Sequence, residues 1–97
     1  MAYVVAAKWT AKEGEEGKVW AAIEQLIGPS RAEPGCIMYQ PHRDPENPRV
    51  CFFYEQYVNA DAFKAHGESE HFKRLGLGQA IPLLEGRERA FYETIDI

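Results

Sequence analysis

The spacing of apolar residues changes several times along the chain, and each change predicts an element. Tyr3 to Trp9, Tyr-Val-Val-Ala-Ala-Lys-Trp, is β-prone and apolar on both alternating faces, which predicts a first strand. Thr10 to Glu15 is polar, contains Gly14 and reads as a connection. From Glu15 to Ile27 the period lengthens: Val19, Ile23, Leu26 and Ile27 fall at i, i+4, i+7 and i+8, one stripe of a helix. Glu15 and Glu16 sit in its first turn, where the helix dipole favours negative charge, and Gly28-Pro29 supplies a stop signal. Glu33-Pro34-Gly35 reads as a turn, Cys36 to Arg43 as a second strand, and the turn-rich Asp44 to Pro48 as a link to a third, Val50 to Tyr57. The second and third strands should therefore form an antiparallel hairpin. Asn59 offers an N-cap with Asp61 in the first turn, and Phe63 and His66 follow at helical spacing. This predicts a second helix from Ala60 to about Leu75, with a break at Gly67 and a restart capped by Ser69 as an option. Gly76 to Gly86, with Pro82 inside it, reads as a connection, and Arg87 to Ile95 as the last strand.

The predicted order is β-α-β-β-α-β, an α+β, ferredoxin-like arrangement with two helices on one face of an antiparallel sheet. No internal repeat or linker interrupts residues 1–97, so one domain is expected. A half-solvated sheet should alternate apolar with polar residues. Here Tyr3, Val5, Ala7 and Trp9 share one face of the first strand, with Val4 and Ala6 on the other. The third strand has Phe53 and Tyr57 on one face, Phe52 and Tyr54 on the other. The second face of the sheet needs a cover, and a partner subunit is the simplest one, so a homodimer is expected.

Composition narrows the function classes. Ninety-seven residues with 45 % apolar and 27 % charged side chains make an ordinary globular chain. A net charge of -4 argues against phosphate backbones and anionic membranes as partners, since both call for a clustered basic face. No long apolar run or secretory pattern is seen, so a cytoplasmic location with reduced thiols is expected. Cys36 and Cys51 should lie about 20 Å apart at strand rise, too far for a disulfide.

The chemistry-bearing candidates are few. His66 and His71 are five apart, about 140° around a continuous helix. Without C-x-x-C or H-x-x-x-H spacing, no metal site is expected. His66 follows Phe63 by three residues and should face the sheet, where Glu55 and Tyr57 share one face of the third strand. A carboxylate among aromatic residues is costly to bury without a partner, so a Glu55–His66 hydrogen bond is expected. Such a pair serves either as a structural buried hydrogen bond or as a functional one. The aromatic content of 12 % is mostly core, and it also suits a pocket for a flat ligand. No nucleotide fingerprint or serine-hydrolase elbow is present.

Glu33-Pro34-Gly35-Cys36, Tyr39, Asp44, Pro48, Tyr54-Glu55-Gln56-Tyr57, Asp61, Phe63, His66, Ser69, His71 and Phe72 form an ordered set that resembles the antibiotic biosynthesis monooxygenase family. The resemblance is strongest from Glu33 to Phe72. It implies a dimeric α/β-barrel of ferredoxin-like subunits, and a pocket between helices and sheet in each. It also implies oxidation of a small aromatic quinol or phenol by O₂ without metal, flavin or haem. Glu55, His66 and His71 are the candidate catalytic residues. Tyr57, Phe53, Phe63 and Phe72 are the candidate substrate contacts. The family usually has Trp at the place of Tyr57. Haem-degrading relatives need Asn, Trp and His where this chain has Ala7, Tyr57 and Gly76, which disfavours haem cleavage. The competing expectation is a non-oxidative isomerase or ligand-binding module of the same fold.

Overall fold

The computed structural model describes residues 1–96. Four strands and the helices between them follow the expected order: β1 (Tyr3–Ala11), α1 (Glu16–Arg31), β2 (Cys36–Arg43), β3 (Val50–Tyr57), α2 (Ala60–Gly67), α3 (Phe72–Ala80) and β4 (Leu84–Glu93). The strands form one sheet in the order β2-β3-β1-β4, antiparallel throughout. β1 is central, with Val5 opposite Glu55 on one side and Phe91 on the other.

The period-two alternation divides the sheet as strand geometry requires. Val5, Ala7, Trp9, Cys51, Phe53 and Tyr57 point to the helices and form the core with Val19, Ala22 and Ile23 of α1. On the other face Met38, Phe52 and Tyr92 are 45 %, 42 % and 59 % exposed, so a single chain leaves large apolar side chains uncovered there.

Several boundaries differ from the sequence expectation, beginning with β1, which runs on through Thr10 to Ala11. α1 continues through Gly28-Pro29 to Arg31. Its last turn is held by tertiary contacts that outweigh the local stop signal: Ser30 is fully buried, and Arg31 Nε donates to the Tyr39 carbonyl at 3.0 Å. The second helix takes the broken form the sequence offers: it ends at Gly67, and the chain restarts at Ser69, whose hydroxyl accepts from Phe72 N at 3.2 Å. The stretch expected as a connection from Gly76 is helical up to Ala80, wound more widely than an α-helix, followed by a tight turn at Ile81–Leu83. α3 packs on α1, burying Leu75, Gly76 and Ala80. β4 accordingly begins at Leu84 and ends at Glu93.

Two glycines set close approaches that matter for the site. A Cβ on Gly35 would lie 2.4 Å from the Ala62 Cβ, so glycine lets the Glu33-Pro34-Gly35 turn press against α2. The Gly35 carbonyl accepts from Val58 N at 2.9 Å, which fixes the turn to the end of β3. A Cβ on Gly76 would come within 2.8 Å of the Phe72 ring, so glycine gives that ring room to lie against α3.

Candidate functional site

A cavity opens between the sheet and the segment from α2 to α3. Its floor is small at Val5 and Ala7, and its walls are rings: Trp9, Tyr39, Phe53, Phe63 and Phe72. The polar groups on its wall are Glu55, His66, Arg87 and Arg89. The cavity measures about 460 Å³, its open mouth included. That suits one ring better than several.

Glu55 is 6 % exposed. Its neighbour two positions on, Tyr57, donates its hydroxyl to Glu55 Oε1 at 2.5 Å. Burial pushes the Glu55 carboxyl up to about 7, against the Tyr57 hydrogen bond; the Glu33 charge adds to the rise and the Arg89 charge opposes it. Burial, followed by the Glu55 charge, drives the Tyr57 phenol well above its usual range, so it stays protonated.

His66 is 3 % exposed and packed among rings, with Phe72, Tyr39 and Tyr57 centroids 5.1, 5.5 and 5.7 Å away. Its Nδ1 lies 2.8 Å from Glu33 Oε2. His71 Nε2 lies 2.5 Å from the same oxygen. An ionised carboxylate only accepts, so the proton sits on the Glu33-facing nitrogen of each ring. The Nε2 of His66 is then a lone-pair acceptor on a residue that lines the cavity. Burial lowers the His66 pKa, and the Glu33 bond only partly offsets this, so the ring is neutral at pH 7.

The expected Glu55–His66 hydrogen bond is not formed. Glu55 takes the nearer phenol of Tyr57, and His66 takes a carboxylate delivered by the turn before β2. The expectation that His66 and His71 diverge also fails, because it assumed one continuous helix. The break at Glu68–Ser69 turns both rings onto Glu33. Their facing nitrogens and a Glu33 oxygen lie within 4.8 Å of one another, close enough for a cation. The two hydrogen bonds account for that convergence, and a cation would have to displace both ring protons.

Of the residues singled out from the sequence, Glu55, His66, Phe53, Phe63 and Phe72 meet at the cavity. Tyr57 lies behind its wall, fully buried, and His71 reaches the cavity only through Glu33 and His66. The sequence places Glu33 in a turn and in the family's residue set without a partner for it, and gives no cavity role to Arg87 or Arg89. Alternation on the last strand was the available signal for the arginines, since Arg87 and Arg89 share a face. Both cysteines are free; burial pushes the Cys51 thiol up to about 12 and also raises that of Cys36, so neither is a reactive thiolate at neutral pH.

Residues 2–75 match the family model described as antibiotic biosynthesis monooxygenase. The chain belongs to the antibiotic biosynthesis monooxygenase family. Solved structures support the same fold for this family member. A Shewanella oneidensis protein, SO0527, is 30 % identical, with 94 % of this chain and 88 % of that one covered and a TM-score of 0.85. PA3566 of Pseudomonas aeruginosa is 24 % identical, with 98 % and 95 % covered and a TM-score of 0.87. A structure named antibiotic biosynthesis monooxygenase is 22 % identical, with 97 % and 99 % covered and a TM-score of 0.89. An uncharacterized protein of Synechocystis sp. is 32 % identical over 69 residues, which make up 71 % of this chain and 47 % of that protein. The chain thus spans about half the length of the curated relative it matches. No helix among the described residues is long and apolar enough to cross a membrane.

Proposed function

We propose that this chain is a cofactor-independent monooxygenase of small aromatic quinols or phenols, working as a homodimer. The observation that carries this reading is a buried imidazole, His66, on the wall of an aromatic cavity, held from behind by the partly buried Glu33 carboxylate. Such a cavity takes a flat ring, and the imidazole takes a proton from a ring hydroxyl.

The reaction follows from the substrate's own reducing power. His66 Nε2 removes a hydroxyl proton, and the resulting anion passes one electron to O₂. The ring radical and superoxide combine, forming a carbon–oxygen bond. Loss of the ring hydrogen and cleavage of the O–O bond then release water. A hydroquinone and O₂ give a hydroxyquinone and water: O₂ gains four electrons and the ring supplies them. Glu33 holds the His66 tautomer and stabilises the imidazolium formed on proton transfer, while the aromatic walls exclude bulk water. Glu55, close to half-protonated at pH 7, offers a hydroxyl to a ring oxygen. Phe63, Phe53 and Phe72 supply the stacking surface, with Tyr57 acting through Glu55. The apolar face carrying Met38, Phe52 and Tyr92 supports the dimer.

Oxygen uptake tests the reading. Protein treated with chelator and free of cofactor should consume O₂ with members of a hydroquinone and polyphenol panel faster than autoxidation. No acceleration across the panel, with a non-aromatic ligand raising the melting temperature, would replace it with the isomerase or ligand-binding reading.

A further inference from the structure

Arg87 and Arg89 are two apart on the cavity face of β4, opposite Trp9 and Ala7 of β1. Same-face neighbours on a strand stand about 7 Å apart along the backbone, so both arginine side chains rise from one edge of the cavity. Both residues are exposed and both line the cavity, which places them where it opens. Among the described residues neither has a carboxylate within salt-bridge distance, although the chain's acidic residues outnumber its basic ones. Each is instead parked over a ring: Arg87 6.0 Å from the Trp9 centroid, Arg89 5.5 Å from that of Phe91. Partial burial, and then the Arg89 charge, hold Arg87 below the usual guanidinium range, so the pair carries like charges without a salt-bridge partner among the described residues. The other charged candidate on the wall, Glu55, has its carboxyl pushed up to about 7 by burial, so near neutral pH it offsets them only in part.

We infer that the ligand of this cavity is a single-ring aromatic acid, whose carboxylate is held by Arg87 and Arg89 while its ring enters between Trp9, Phe53 and Phe63. The guanidinium fork matches a planar carboxylate in two parallel hydrogen bonds, and the small interior admits one ring with the charge left at the rim. The inference deepens the proposed function by naming a substrate class for the same site. It rests on that reading only for the ring chemistry; the charge preference stands on the arginines.

Benzoate and benzamide separate the two, since neither carries a phenol to be oxygenated. Quenching of tryptophan fluorescence at low salt should show benzoate binding about tenfold tighter than benzamide. The gap should shrink as salt is added and close in Arg87→Gln/Arg89→Gln, with benzamide affinity kept within twofold as the check on fold. If the double variant does not fold, each single variant should narrow the gap. Equal affinities in the natural protein, a benzoate preference that survives the substitutions, or no binding of either compound at millimolar concentration would overturn the inference. In the same proteins, 2,5-dihydroxybenzoate should be consumed with O₂ at a lower KM than 2,5-dihydroxybenzamide. A benzoate preference without any O₂ uptake would leave the anion site standing and remove the oxygenase reading.

Discussion

Glu33 and His66 are 33 positions apart and meet at 2.8 Å, carboxylate oxygen to imidazole Nδ1, because a turn held by Gly35 and a helix ended at Gly67 converge on one spot. His71 closes on the same oxygen, so a single carboxylate orders two rings. Glu33→Ala removes the acceptor for both N–H groups, of which that of His66 is buried and that of His71 partly so. It should cost about 1–3 kcal/mol for each donor left unpaired, read as a lower urea midpoint at unchanged slope. Glu33→Gln keeps one carbonyl acceptor and should lose less. Without the Glu33 charge the His66 pKa should fall further, since that charge and bond are what raise it.

Glu55 makes stability depend on pH in a defined direction. Its carboxyl is raised from 4.5 to about 7 in the folded state, so between these values the native protein holds a proton that the unfolded chain has lost. The contribution is therefore complete below about pH 4.5 and is lost as pH rises through about 7. At about 1.36 kcal/mol per pH unit the displacement corresponds to roughly 3–3.5 kcal/mol. His66, with its lowered pKa, acts in the opposite sense as pH falls below 6.5. The difference between the natural protein and Glu55→Gln isolates the Glu55 part: denaturant midpoints from pH 5 to 8 should converge at low pH, with the variant gaining as pH rises.

Tyr57→Phe tests the bond between β3 neighbours. The Tyr57 hydroxyl stabilises the ionised form of Glu55, so its loss should move the Glu55 carboxyl above about 7. Carboxyl carbon shifts followed by NMR across the titration should show the upward move. A downward move would mean that the phenol does not bond to the charged form.

Much of the fold was legible in the sequence because its signals were local. The hairpin strands Cys36–Arg43 and Val50–Tyr57 are flanked by dense turn signals, and their boundaries coincide with those expected. The extent of α1 was not legible, because Arg31 and Ser30 hold its last turn through contacts with β2 and the core, which override Gly28-Pro29. α3 was obscured by Gly76, Gly78 and Pro82, which locally oppose a helix. The aromatic wall and the inward His66 were readable from spacing. The partner of His66 was not, since Glu33 arrives from a turn whose approach depends on a contact between Gly35 and Ala62 far apart in sequence.

Gly35→Ala probes that approach directly. Its Cβ would lie 2.4 Å from the Ala62 Cβ, a distance that only backbone movement relieves. A loss of about 1–3 kcal/mol is expected, together with weaker ligand binding as Glu33 withdraws from His66. Ala62→Gly in the same chain should restore part of both.

The uncovered sheet face predicts assembly. Sedimentation at micromolar concentration should give about 22 kDa, twice the 11.0 kDa chain. Phe52→Glu, which places a charge at a residue 42 % exposed in the single chain, should shift the protein towards monomer. A stable monomer of the natural chain would contradict the dimer.

The base role of His66 is the central claim, and the O₂ consumption rate of chelator-treated, cofactor-free protein with a hydroquinone tests it most directly. The natural chain should exceed the autoxidation control, and His66→Ala should lose about 10²–10⁴-fold of that excess while keeping its fold by circular dichroism. Equal rates for the natural chain and a folded His66→Ala variant would contradict the account.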